Sequence, residues 1–126
     1  MSNSILSLVI SELKRDNEYH NALSELQQLK RYGFYFTVKK NCQISDNVRE
    51  ATKIIVSAAI QVDSLQKQAS FNKDASFISK IMLKTLKITQ KMLAGMLLAN
   101  PIKISIAYNA LHNVIKFLEK SSLSKK

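Results

Sequence analysis

The chain has 126 residues, one cysteine, two glycines, one proline, no tryptophan and a formal net charge of +10. This length sets a single domain, expected over residues 1–120, whose core stands without disulfide or metal staples. The lone Cys42 excludes a disulfide framework and points to a reducing, cytoplasmic setting. The longest charge-free apolar run, Met92 to Ile102, falls short of the ~20 residues of a membrane span, so no membrane partner is expected.

A first helical stretch is expected from Ser4 to Gly33, on Ile5, Leu6, Val9, Ile10, Leu13, then Tyr19, Leu23, Leu26 and Leu29. The stripe lapses across Lys14–Glu18, where Asp16 or Asn17 can cap a new helix, so one helix or two fit. Gly33 is the stop signal. In residues 34–45, Phe34, Phe36 and Val38 alternate like a strand, but no second strand exists to pair with them. An ordered loop pinned by its aromatics is the expectation.

A second long helix is predicted over Asp46–Ala69, with Val48, Ala51, Ile55, Ala58, Val62 and Leu65 on one face. A third is predicted over Ala75–Ala99, capped by Asp74, with Ile78, Ile81, Met82, Leu86, Met92, Leu93, Met96 and Leu97 buried. Gly95 inside it implies close helix packing. Asn100-Pro101 starts the last helix, since Asn caps and Pro suits the first position. Ile104, Tyr108, Leu111, Ile115 and Leu118 share one face, and 121–126 reads as a flexible basic tail. The fold class is all-α, an up-and-down bundle of four or five helices.

The charge is uneven. Residues 1–63 hold eight bases and seven acids, whereas residues 64–126 hold eleven lysines and only Asp74 and Glu119. Such an excess attracts polyanions. Lys80, Lys84, Lys87 and Lys91, spaced four, three and four apart, fall on the polar side of the third helix. At ~1.5 Å per residue they form a ridge roughly 16 Å long, a run of several phosphates. Lys73 precedes them. A second basic cluster interleaves aromatics, with Arg31, Tyr32, Tyr35, Lys39 and Lys40 in the segment Lys30–Lys40. Bases stack on rings while phosphates meet cations, as single strands require. These ten residues are the predicted nucleic-acid site, with Phe34 and Phe36 read as plugs of the bundle end.

Catalytic sets are sparse. His20 and His112 are the only histidines, with no HExxH, CxxC or glycine-rich phosphate loop. No metal, cofactor or catalytic residue is expected, and Cys42 reads as a buried or idle thiol. Arg15-Asp16-Asn17-Glu18-Tyr19-His20 resembles the Arg-x4-6-His pattern of HEPN ribonucleases, which implies RNA cleavage across a dimer.

Chain length, helix order and charge resemble two groups of small basic bundles, and the Leu/Ile pattern of 75–99 followed by Pro101-Ile102-Lys103-Ile104-Ser105 is similar to the second of them. One is the small subunit of CRISPR effector complexes, which implies a nucleic-acid groove without cleavage. The other is the accessory variability determinant of diversity-generating retroelements, which implies a basic ring beside a reverse transcriptase. The Gly-x-Trp of the retroelement group has no counterpart in a chain without Trp, and no functional residue is carried over from either group. The resulting expectation is a non-enzymatic accessory subunit that binds RNA or single-stranded DNA beside protein subunits or further copies of itself. The alternative is a helical adaptor, chaperone or immunity protein for an acidic protein partner.

Overall fold

Asp16 breaks the first helical stretch. Its backbone is extended, and its carboxylate accepts from the Glu18 and Tyr19 amides, which starts a new helix one turn after the old one ends. A second break at Leu26, also extended, starts another. The computed structural model describes residues 4–69 and 75–124. They form α1 (Ile5–Leu13), α2 (Asn17–Ser24), α3 (Gln27–Arg31), α4 (Asp46–Ala69), α5 (Ala75–Ala94) and α6 (Pro101–Ser124). The expected one or two helices before Gly33 are therefore three, and the described helices number six rather than four or five. The all-α bundle stands.

The helices run up and down. Glu12 of α1 meets Asn113 of α6, and Ile5 meets Asp63 of α4, so α1 is antiparallel to both. Gln90 and Lys87 of α5 meet His112 and Glu119 of α6, which makes that pair antiparallel as well. α5 packs on α4 and α6, α1 packs on the same two, and the short α2 packs on α4. Tyr19, Leu23, Ile55, Leu86, Ile104 and Leu111 are among the side chains fully enclosed between them.

Polar groups inside the bundle are satisfied locally. Thr52 and Thr89 donate to the carbonyls of Val48 and Thr85 one turn earlier. Among the described residues, no buried side-chain nitrogen or oxygen lacks a partner.

The start of α1 is closed by a distant residue. Ile5 and Leu6 amides donate to the two carboxylate oxygens of Asp63 at 2.7 and 3.0 Å, while Ser7 donates to Ser4 Oγ. These donors have no partner inside the helix. Asp63→Ala is expected to lose about 1–2 kcal/mol, the scale of a lost cap. Urea unfolding followed by helical circular dichroism checks this, and an unchanged midpoint contradicts it.

Gly33 behaves as predicted. Its φ is +85°, Phe34 N–H reaches back to the Leu29 carbonyl, and Gly33 N–H to Lys30. This is the left-handed helix stop that glycine alone adopts without strain.

Three expectations about α5 are corrected. The helix ends at Ala94, not Ala99, and Gly95 opens a run of tight turns with Met96, Leu97 and Ala99 amides each bonded three residues back. Gly95 is exposed, so it mediates no close helix packing. Met92, expected in the core, is 51% exposed, because it sits at the mouth of the α4–α5 groove rather than under it. At the other end, α6 continues through Ser124, past the expected start of a tail at Ser121. The Asp74 cap and Lys73 lie outside the described residues.

Candidate nucleic-acid interface

The buried side of α5 is Ile78, Met82, Leu86, Thr89 and Leu93. At 100° per residue, the mean direction of Lys80, Lys84, Lys87 and Lys91 is nearly opposite. All four lysines are exposed. Only Lys87 has an acidic neighbour among the described residues, Glu119 Oε2 at 3.3 Å. α6 carries two further exposed lysines near Glu119 that periodicity alone did not single out. Lys116 lies one turn before Glu119 and Lys120 directly after it, and both are exposed. The signal that finds them is the antiparallel packing of α5 on α6, which the sequence does not display.

Five of the acids are engaged in structure. Asp16 and Glu18 hold Lys103 Nζ at 2.8 and 3.5 Å, Glu25 holds Arg49 through two bonds, Glu12 bonds Asn113, and Asp63 closes α1. The hydrogen bond to Asp16 holds the Lys103 ammonium above the usual lysine value, against the opposing effect of burial. Likewise the Arg49 hydrogen bond holds Glu25 below the usual carboxylate value. Burial, followed by the charges of Asp16 and Glu18, pushes the Tyr19 phenol well up. Lys80, Lys84 and Lys91 of α5 are left as surplus cations exposed to solvent among the described residues.

The second predicted cluster sits elsewhere. Its loop is tied to α2, not to α5. Asn21 grips the Lys39 backbone from both sides, donating to its carbonyl at 2.9 Å and accepting its amide at 2.7 Å. His20 Nε2 bonds the Thr37 carbonyl, and its ring meets Phe36 edge to face at 5.4 Å. Glu18 accepts the Ser45 amide at 2.7 Å. Phe34 and Phe36 are half-buried against the core, as plugs. Arg31, Tyr32, Tyr35, Lys39 and Lys40 are exposed. The loop is thus pinned by α2 side chains as much as by its own aromatics. No hydrogen bond or ion pair among the described residues joins this cluster to the α5 ridge: one part of the predicted site lies on α5, the other at the end of α3 and in the loop after it.

The other singled-out residues have structural partners. Arg15, in the turn after α1, pairs with Glu12 at 3.7 Å, and His20 is engaged by the loop. Cys42 is half-buried, with Sγ 4.0 Å from the Gln43 carbonyl. Among the described residues no three His, Cys, Asp or Glu side chains lie together as a metal site, and no helix is long and apolar enough to cross a membrane.

Compared with protein-family models, curated proteins and solved structures, the chain matches none.

Proposed function

We propose that this protein is a non-enzymatic accessory subunit that binds RNA or single-stranded DNA, with the α5 lysines neutralising phosphates. The observation that carries this reading is the ridge itself: four exposed lysines on one helix face, three of them without an acidic partner among the described residues. Helix faces that serve solubility alone commonly interleave both signs, and this one does not. The role as a subunit rests on exposed apolar surface where α5 turns into α6. Leu98 is 99% exposed and Ile102 75% exposed, large apolar groups suited to a protein neighbour or a second copy. The single thiol suits a reducing compartment such as the cytoplasm.

The test is binding to labelled single-stranded RNA, single-stranded DNA and duplex DNA across a salt series. Four phosphate contacts give a slope of log K against log salt of about −3 on single strands, or about a 50-fold loss between 50 and 200 mM salt. A folded protein that binds none of the three at low salt overturns the reading. Recovery instead with one stoichiometric acidic protein would support the adaptor role.

A further inference from the structure

Alongside the lysine ridge, α5 carries a second line of residues. Phe77, Ile88 and Met92 are 62%, 49% and 51% exposed, and Ile81 is half-buried. Spaced four, seven and four apart, these four fall on one stripe of the helix. That stripe is rotated about 80° from the ridge, so the two lines run parallel, roughly 7 Å apart on a helix ~10–12 Å across. At its Met92 end the apolar line enters a groove between α4 and α5, with Ile88 one turn before it. Ile54, Ala58 and Met92 give the groove apolar surface, Ser57 and Gln61 give its α4 wall hydrogen-bonding groups, and Lys53 adds a cation.

Exposed apolar groups are common singly, but here three large ones share one stripe of a helix beside an open groove, which is the arrangement that marks a binding surface. The pairing does fit a single nucleic-acid strand, which presents phosphates along one edge and flat apolar bases with polar rims along the other. A duplex presents only the phosphate edge, because its bases are stacked inside.

We infer that the α4–α5 groove holds the bases of a single strand whose phosphates lie on the α5 lysines, so that the protein selects single-stranded over duplex nucleic acid. This rests on the proposed polyanion-binding role of the same helix. Base contact occurs at Ile88 and Met92, with Ser57 and Gln61 placed to meet base edges without fixing their sequence. Charge complementarity commits the occupant: the lysine ridge on α5 and Lys53 on α4 bring cations to both sides of the apolar strip.

The experiment compares three labelled probes with the full chain, each across the same salt series: an oligothymidylate, an abasic strand of equal length, and a duplex of equal length. The abasic strand keeps the phosphates and removes the bases. Expected is a preference of about tenfold or more for the oligothymidylate over the abasic strand, the scale of one or two stacked bases. Ile88→Ser/Met92→Ser is expected to erase most of that preference while leaving the salt slope unchanged. Both side chains are half-exposed, and helical circular dichroism confirms that the variant folds. Equal affinity for all three probes overturns the groove inference and leaves the lysine ridge standing. A preference that survives the double substitution overturns it also. Failure to bind any probe overturns the polyanion reading itself.

Discussion

Replacing Lys80, Lys84, Lys87 and Lys91 together by Gln is expected to flatten the salt dependence of single-strand binding by about three units. If the affinities converge near 1 M salt, the variant is weaker by roughly two to three orders of magnitude near 0.1 M. Gln matches Lys in helix propensity, and all four positions are exposed, so the fold is retained. The loss therefore reports charge and not unfolding. Lys87 shares its charge with Glu119, which gives the same experiment an opposite arm. Glu119→Gln releases Lys87 and removes a negative charge beside Lys116 and Lys120. An exposed pair of this kind is worth at most about 1 kcal/mol, so binding tightens by up to about fivefold. A quadruple variant that keeps the parent slope removes α5 from the interface.

Tyr19→Ala is expected to cost about 3–5 kcal/mol, a large share of the stability of a domain this size. Tyr19 is fully buried, and its hydroxyl donates to the Lys103 carbonyl in the first turn of α6. Lys103 in turn reaches back to Asp16 and Glu18 at the start of α2. Tyr19 thus fills the junction between α2 and α6 and ties their backbones together. Tyr19→Phe separates the two contributions. It keeps the ring and removes only the hydroxyl, and the Lys103 carbonyl retains its helical bond from Ala107, so a loss of about 1 kcal/mol is expected. Urea unfolding of both variants measures the split. A Phe variant as damaged as the Ala variant would show that the hydrogen bond, not the ring, holds the junction.

The α5 ridge, the helix class and several boundaries were legible in the sequence because they are local. α4 runs over Asp46–Ala69 as its apolar repeat predicts, α6 begins at Pro101 after Asn100, and Gly33 adopts the left-handed turn that stops α3. Periodicity and capping act within one or two turns, so one strand of sequence displays them. What the tertiary structure decided depends on residues brought together from far apart. Glu119 reaches Lys87, Asp63 closes α1 and Asn21 grips the loop at Lys39, pairings separated by 32, 58 and 18 positions. Met92 was assigned to the core by its spacing, yet only the placement of α4 decides that it rims a groove with Ile54 and Ala58. A hydrophobic repeat records which face of a helix avoids water. Where that face ends is set by the width of its neighbours, and a single helix carries no record of that.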